Sequence, residues 1–156
     1  TEVIPGPSAV TCALVASGLA SDHFFFEGFL PRKHGQIVQR LQQLAQIPGT
    51  IVLYESPFRV LTTVEAIAEV FPTRQVALVR ELTKLHEEVV RDVAPYLVET
   101  LSAKENLKGE CVLVIAAPTE EELTSASSQA VGESQLSLED AIEAGLAAGT
   151  RKSALA

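Results

Sequence analysis

Three largely apolar runs constrain what this chain can fold into. TIVLYE (residues 50–55), QVALVREL (75–82) and GECVLVIAA (109–117) are short and rich in β-branched residues, and turn-forming or charged residues border them. Such runs are typical of strands. A strand without polar alternation, such as TIVLYE, is buried on both faces, so helices are expected on both sides of the sheet.

The segments between these runs have helical spacing. Residues 8–18 (SAVTCALVASG) predict a first helix, with Ser8 as its N-cap and Gly18 at its end. Further along the chain, apolar residues recur every three or four positions, and prolines stand where a helix begins or ends. Three more helices are therefore predicted: over residues 34–46, from Ser56-Pro57 to Pro72, and over residues 93–107.

Two more strands complete the predicted sheet. HFFFEGFL predicts a short buried strand at Phe24 to Phe26, and EEVVRDV (87–93) predicts another strand. Because only LTKLH separates EEVVRDV from the preceding strand, we expect the two to form an antiparallel hairpin. The predicted fold class is therefore α/β, with a mixed five-stranded sheet flanked by helices.

The composition changes near residue 118. Residues 1–117 are predicted to form one α/β domain. Residues 118–135 are rich in Glu, Ser, Thr and Gln, which is typical of a polar linker. Residues 136–156 predict a C-terminal helical segment, in which Ser137 and Asp140 have the spacing of a capping box.

Composition also disfavours several classes of protein. No apolar run approaches the roughly 20 residues that span a bilayer, and the first residues, TEVIPGPSAV, lack the basic region of a secretory signal. No Cys/His spacing suits a metal ion. We therefore expect a cytoplasmic protein that binds neither membrane nor metal, with Cys12 and Cys111 as buried free thiols.

The net charge of −8 is unevenly distributed. Residues 118–156 contain seven acidic and two basic residues, so they carry −5 of it. The preceding part contains cations that are able to form a local basic face, and the charge therefore neither supports nor excludes an RNA partner. These cations are Arg32, Lys33, His34, Arg40, Arg59, Arg80, Lys84, His86 and Arg91.

RELTKLHEE (residues 80–88) holds two basic residues, a histidine and three carboxylates within nine positions. A polar hairpin tip is its simplest explanation. However, a histidine titrates near neutrality, and general-base catalysis on a hydroxyl needs a proton acceptor that neighbouring groups can tune. Lysine and arginine beside it are able to hold a phosphate. The mixture of chemical types favours a functional tip.

Three shorter motifs border strands and helices. YESPFR (residues 54–59) lies where a buried strand ends, and ligands bind at the carboxyl ends of strands in α/β sheets. A surface pair between Glu55 and Arg59 is the alternative explanation of this motif. PGPSA (5–9) and Gly109 in LKGECVLVI allow a ligand to approach the backbone closely. A rigid turn and the start of a strand explain these last two more simply.

The order of these motifs resembles one family. PGPSA, ASGL, FEGFLPRK, TIVLYESPFR, VALVRELTKLHEE and KGECVLVI together resemble the C-terminal half of the tetrapyrrole-methylase-like class of S-adenosylmethionine methyltransferases. Within that class, residues 3–116 resemble the bacterial 16S rRNA (cytidine-2′-O)-methyltransferase branch, because YESP-x-R and RELTK-x-HEE are specific to it. The chain departs from this branch at Phe58, where a histidine is common, and at Asp92-Val93, where Gly-Thr often stands.

This resemblance implies an architecture and an activity. Proteins of the family have two α/β domains with S-adenosylmethionine in the cleft between them, and they are usually homodimers. The Thr-Pro-Ile-Gly-Asn segment of their N-terminal domain is not found in this sequence, so residues 1–117 are expected to be the C-terminal domain. The implied function is 2′-O-methylation of a cytidine ribose in small-subunit ribosomal RNA, by a chain expected to be inactive alone.

The resemblance also implies site residues. A ribose hydroxyl is a poor nucleophile, so it needs an oriented approach and a nearby proton acceptor. The acceptor is left open, and our hypothesis favours Glu87 or Glu88, with Lys84 positioning a phosphate. The implied residues are Lys84, His86, Glu87 and Glu88 for catalysis; Arg59, Arg80, Glu81 and Lys84 for substrate binding; and Pro5, Gly6, Ser8, Tyr54, Glu55, Ser56, Lys108 and Gly109 for the cofactor.

Two other functions stay open. A methylase of a tetrapyrrole precursor on the same scaffold predicts an apolar cleft, which the charged RELTKLHEE segment disfavours. A non-catalytic domain that only dimerises is the second alternative, because the resemblance places half of the cofactor site in the other domain.

Overall fold

The fold is a five-stranded sheet with helices on both faces. The computed structural model describes residues 1–104 and 107–124, and Thr1–Pro118 belong to one structural unit. Its elements are α1 (Ala9–Ser17), β1 (Phe24–Phe29), α2 (His34–Leu44), β2 (Thr50–Glu55), α3 (Val60–Val70), β3 (Gln75–Arg80), β4 (Glu88–Val93), α4 (Ala94–Ser102) and β5 (Cys111–Ile115).

The strand order is β1-β2-β5-β3-β4. β1 and β2 are parallel, β5 runs antiparallel to both of its neighbours, and β3 and β4 form an antiparallel pair. The carboxyl ends of β1, β2 and β3 therefore meet the amino end of β5 at one edge of the sheet. Loops that leave this edge are the ones that shape a site.

Two apolar clusters lie on opposite faces of the sheet, because successive side chains of a strand point to opposite sides. Helices α2, α3 and α4 cover one face, with Leu41, Ile67 and Leu97 fully buried against Leu53 and Leu113. Helix α1 covers part of the other face, and its residues Val10, Ala13 and Leu14 pack with Val52, Ala77, Val79, Val112 and Val114.

The end of α1 is fixed to β4. Gly18 has φ of +66° and closes the helix by donating its N–H to the Val15 carbonyl at 3.3 Å. The Arg91 guanidinium donates to the Ser17 carbonyl at 2.9 Å, and a Cβ at Gly18 would lie 2.5 Å from Arg91 Nη1. A side chain at this position would displace Arg91, so glycine is required both by the backbone and by the contact.

Most sequence predictions of the fold are confirmed. The mixed five-stranded sheet, the burial of β2 on both faces, the β3–β4 hairpin and the ends of α1 and α3 near Gly18 and Pro72 all agree with the structure. The predicted helical segment 136–156, with Ser137 and Asp140, lies outside the described residues, as does residue 125 onward of the predicted linker. The division at residue 117 stays a prediction.

Several details were predicted wrongly. Phe24 to Phe26 are 36–45% exposed rather than buried, because β1 has a strand on one side only. Helix α3 begins at Val60, since Ser56 to Arg59 form a turn that precedes it, and α4 ends at Ser102. Ser8 occupies the N-cap position, but its side chain makes no capping hydrogen bond.

None of the helices in residues 1–104 and 107–124 has the length and apolar character needed to cross a bilayer. Within the same residues, no three His, Cys, Asp or Glu side chains are grouped so that they would hold a metal ion.

Candidate functional site

Two adjoining cavities lie at the sheet edge where β2 and β3 end and β5 begins. The first has a volume of about 480 Å³ and the second about 240 Å³, and Ala9, Glu110 and Val112 line both. The first cavity is also lined by Phe29, Tyr54, Glu55, Ser56, Pro57, Gly109 and Cys111. The second is also lined by Pro7, Ser8, Cys12, Val79, Leu82, Thr83 and Lys84.

The turn between β2 and α3 forms one wall of the first cavity. The Glu55 carboxylate is buried and accepts hydrogen bonds from the Ser56 N–H at 2.8 Å and the Thr63 hydroxyl at 2.7 Å. Arg59 lies 3.5 Å from the same carboxylate and donates to the Pro31 carbonyl at 2.6 Å. The Glu55–Arg59 pair therefore exists, but its carboxylate is buried and its guanidinium half-buried, and Arg59 ties the turn to the residues that follow β1.

The segment after β3 forms the wall of the second cavity. Glu81 and Thr83 have φ of +51° and +64°, which is uncommon for residues with side chains. The Lys84 ammonium donates to Glu81 Oε1 at 2.9 Å and to Glu110 Oε2 at 3.3 Å. The Glu87 carboxylate accepts from the Thr83 N–H at 2.6 Å. These contacts hold a charged tip across the start of β5.

The Glu81–Lys84 contact shifts both titrations. The hydrogen bond from Lys84 lowers the pKa of the Glu81 carboxyl, and the Glu110 N–H adds to this effect. The hydrogen bond to Glu81 in turn raises the pKa of the Lys84 ammonium, with a further contribution from Glu110. Both groups are therefore charged at neutral pH, and Lys84, which lines the second cavity, contacts Glu110, which lines both.

Gly109 allows Glu81 to approach the start of β5. Its φ is +90°, and a Cβ built on it would lie 2.0 Å from Glu81 Oε1. The Glu110 N–H next to it donates to the same oxygen at 3.1 Å. The close passage over Gly109 considered at the sequence level is thus made by a side chain of this protein, and it shapes the rim of the first cavity.

Glu88 lies outside the cavity walls and contacts two cations. Arg80 Nε donates to Glu88 Oε2 at 2.6 Å, and the Lys104 ammonium contacts Glu88 Oε1. The hydrogen bond from Lys104, followed by that from Arg80, lowers the pKa of the Glu88 carboxyl. A carboxylate stabilised in this way is a weaker base, and its first effect is to tie β3 and β4 to the end of α4.

The Glu88 network predicts acid sensitivity. When folding lowers the pKa of a carboxyl, that group stabilises the folded protein at every pH above its ordinary pKa of 4.5. This contribution is lost as the pH falls through the lowered pKa. We expect Glu88→Gln to be less stable than the unmodified chain at pH 7, and the two to converge in acid. Urea midpoints measured from pH 7 to pH 3 test this, and a constant difference over that range would contradict it.

Some predicted site residues stand apart from the cavities. Pro5 and Gly6 are exposed and precede α1, and His86 is exposed on the tip. Neither cavity has any of these three, or Glu87, among its described lining residues. The Lys108 side chain is exposed, while its carbonyl accepts from Arg80 Nη1 at 3.1 Å. The structure thus brings together Ser8, Tyr54, Glu55, Ser56, Lys84 and Gly109, with Glu81 at the rim.

Phe29 and the two cysteines line the cavities but were not predicted as site residues. Phe29 ends β1, and its ring centroid lies 5.7 Å from that of Tyr54. The parallel pairing of β1 with β2 places their carboxyl ends at the same edge, so this residue could have been found from the strand order. Cys111 is buried as expected, but Cys12 is exposed, which corrects the expectation of two buried thiols.

The two thiols are expected to react at very different rates. Burial raises the pKa of the Cys111 thiol to about 11, so about one in a thousand is a thiolate at pH 8. We expect a chromogenic disulfide reagent at pH 8 to modify one thiol in the native chain and both in urea. The rapid reaction should disappear in Cys12→Ser, and two equally rapid reactions in the native chain would refute this.

Comparison with known proteins relates this chain to one family. Residues 1–98 match the family described as Tetrapyrrole (Corrin/Porphyrin) Methylases. The chain belongs to the tetrapyrrole methylase family. Its fold agrees with that of a solved tetrapyrrole methylase neighbour, the methyltransferase CobJ, with a TM-score of 0.55 over 74% of this chain and 50% of that chain. At 17% identity, this likeness shows the fold alone.

Two curated relatives of this tetrapyrrole methylase chain are named Ribosomal RNA small subunit methyltransferase I. The protein from Hydrogenobaculum sp. (strain Y04AAS1) is 44% identical over 115 residues, which is 74% of this chain and 50% of the relative. The protein from Streptococcus pyogenes serotype M1 is 45% identical over 128 residues, which is 78% of this chain and 43% of the relative. The chain thus spans half or less of the length of these relatives.

Proposed function

We propose that this chain forms one wall of the active-site cleft of an S-adenosylmethionine-dependent methyltransferase that acts on small-subunit ribosomal RNA in the cytoplasm. The acceptor is the 2′-hydroxyl of a cytidine. One observation carries the proposal: residues of PGPSA, YESPFR, RELTK and KGE, far apart in the chain, line two adjoining cavities at one sheet edge. The names of relatives at 44–45% identity supply the substrate class.

The first cavity suits the cofactor. Its volume of about 480 Å³ lies within the range of about 300–1,000 Å³ that is usual for small-molecule sites. The rings of Phe29 and Tyr54 provide flat apolar surfaces, and the small residues Ala9, Ser56 and Gly109 leave room beside them. When bound, S-adenosylmethionine supplies an electrophilic methyl group on a sulfonium. The Glu110 carboxylate, exposed at the rim, is placed to accept hydrogen bonds from ribose hydroxyls.

The second cavity suits the substrate. Lys84 carries a positive charge in the wall of the second cavity, where it would hold a phosphate of the RNA backbone. The hydroxyl must lose a proton, and two candidate acceptors lie on the same exposed tip just outside the cavity lining: the imidazole of His86 and the carboxylate of Glu87, which accepts from the N–H of the lining residue Thr83. Glu88 is the weakest of the three proposed acceptors, because two cations already stabilise its charge. We therefore assign the proton to Glu87 or His86.

The proposal is tested by calorimetric titration of S-adenosylhomocysteine. The two proteins compared are this chain alone and a fusion in which the N-terminal half of the Hydrogenobaculum relative precedes it. We expect the fusion to bind and to methylate small-subunit RNA, and the chain alone to be inactive, because the resemblance places the cofactor between two domains. A folded fusion that binds no S-adenosylhomocysteine would overturn the proposal.

Lys84→Ala in the fusion separates substrate from cofactor binding. We expect RNA affinity to fall about tenfold at moderate salt, because one phosphate contact is lost, and the affinity for S-adenosylhomocysteine to stay nearly unchanged. Lys84→Arg keeps the charge and should retain most of the RNA affinity. Equal losses of RNA and cofactor affinity in Lys84→Ala would remove the phosphate role from this residue.

A further inference from the structure

An open aromatic surface runs along β1. The side chains of Phe24, Phe26 and Phe29 are 45%, 43% and 65% exposed. The Phe26 ring meets Tyr54 edge-on at 4.9 Å between centroids, and Phe29 lies 5.7 Å from the same ring. We call Phe24, Phe26 and Phe29 the aromatic strip. Tyr54 supports it from β2, and Phe29 continues it into the first cavity.

The strip lies on the face of the sheet that α1 covers only in part. Phe26 and Phe29 pair with Val52 and Tyr54 of β2, whose side chains belong to the α1 face. Helix α1 packs against β5, β3 and β4, whereas β1 is the outermost strand on the opposite side of the sheet from β4. The bulge between Phe26 and Gly28 keeps Phe26 and Phe29 on one side of the strand. Successive rings are thus presented side by side, roughly 6.5 Å apart.

Two cations stand at the end of the strip. Arg32 and Lys33 follow β1 directly and are exposed, and within the described residues no carboxylate lies within 4 Å of either. Other cations of the predicted basic face are already engaged: Arg40 with Glu27, Arg59 with Glu55, and Arg91 with the end of α1. Arg32 and Lys33 therefore place positive charge beside the aromatic strip that no carboxylate of the described residues neutralises.

We infer that the aromatic strip binds the unpaired bases of single-stranded RNA next to the acceptor nucleotide, while Arg32 and Lys33 hold the adjoining phosphates. This inference rests on the proposed function and adds the surface by which the substrate is recognised. Aromatic side chains on an open sheet face are a common platform for base stacking. The strip ends at Phe29 on the border of the first cavity, which adjoins the cavity proposed for the substrate, and this favours RNA because bases stacked there would lead the strand to the cleft in which the ribose reacts.

The chain offers a direct probe because it contains no tryptophan. In Phe26→Trp, the indole at position 26 is the sole tryptophan of the protein, and a base stacked on it quenches its fluorescence. The ligands are a ten-nucleotide single-stranded RNA and an abasic oligonucleotide of the same length and charge. We expect the RNA to quench the emission about twofold and to bind at least about fivefold more tightly than the abasic strand.

Matched variants in the Phe26→Trp background locate the effect. Phe29→Ala and Phe24→Ala should each weaken RNA binding at least about fivefold, and Phe29→Tyr should restore it, because the ring is kept. Tyr96→Ala removes another exposed aromatic side chain, on α4, and should leave binding unchanged. Phe24→Trp in the otherwise unmodified chain serves as a second reporter if position 26 does not accept an indole.

Two results would overturn the inference. Equal affinity for the RNA and the abasic strand would show that charge alone binds them. A blue shift of the emission that grows with protein concentration, with no quenching by RNA, would assign the strip to contact between two copies of this chain. These experiments contain no cofactor, so a fusion that binds no S-adenosylhomocysteine while RNA still quenches the indole would reject the proposed reaction and retain the stacking surface.

Discussion

Gly109→Ala is expected to destabilise the fold and to alter the rim of the first cavity. The native φ of +90° is a conformation that alanine rarely adopts, and backbone strain of this kind costs about 2 kcal/mol. The added Cβ would also lie 2.0 Å from Glu81 Oε1. Glu81 would have to leave the Glu110 N–H and the Lys84 ammonium, so the charged tip would move with it. Urea denaturation measures the loss of stability.

Two controls separate strain from collision. Gly35→Ala lies near the start of α2, with no atom within 4 Å of the added Cβ, and is expected to be neutral or to stabilise by about 0.5 kcal/mol. Gly109→Ala combined with Glu81→Ala removes the collision but keeps the positive φ. We expect this double variant to recover only the part of the loss that comes from the collision. A Gly109→Ala chain as stable as the unmodified chain would disprove the strain.

The fold was predictable where local pattern and burial agree. TIVLYE and CVLVI are apolar without interruption, and they became the buried strands β2 and β5 in the centre of the sheet. Ile37, Leu41 and Leu44 recur at helical spacing and face the core from α2. In these elements the spacing of the apolar residues and their burial favour the same secondary structure, so tertiary contacts do not change the local preference.

β1 shows why the position of a strand within the sheet was not predictable from the sequence. FFF is apolar enough for a central strand, and no local signal distinguishes a central strand from one at the edge. Its position follows from the order β1-β2-β5-β3-β4, in which the fifth strand inserts beside β2. The exposure of Phe24 and Phe26 is therefore a property of the sheet order, which requires pairing between segments about 60 residues apart.

The site was predictable as a set of motifs but not as a set of contacts. The motif order predicts that Tyr54, Ser56 and Lys84 lie near one another, and these three residues line the two cavities. By contrast, the role of Glu81 depends on Glu110, which is 29 residues away in sequence, and on the positive φ of Gly109. Charged residues in a short run resemble one another at the sequence level, and only the partner of each decides whether it holds structure or faces a ligand.

Arg59→Ala is expected to cost stability because it leaves a carboxylate buried without its cation. The Glu55 side chain is 1% exposed and lies 3.5 Å from Arg59, and removing one partner of a buried pair costs about 3 kcal/mol. The hydrogen bond to the Pro31 carbonyl is lost as well. Because this bond ties the β2–α3 turn to the residues that follow β1, we expect the wall of the first cavity to loosen. Urea denaturation measures the stability.

A double-mutant cycle shows whether the charge of Glu55 causes this loss. Glu55→Gln keeps an oxygen that accepts from the Ser56 N–H, and its NH2 group is able to donate to the Thr63 hydroxyl, so its combination with Arg59→Ala should be about 1–2 kcal/mol more stable than Arg59→Ala alone. Glu69→Ala breaks the contact with His34, in which both side chains are more than half exposed, and should cost under about 1 kcal/mol. If Arg59→Ala and Glu69→Ala lose the same stability, the Glu55–Arg59 pair contributes no more than a surface contact. The β2–α3 turn would then have to be held by the Thr63 and Ser56 hydrogen bonds alone, and Arg59 would become available to a substrate.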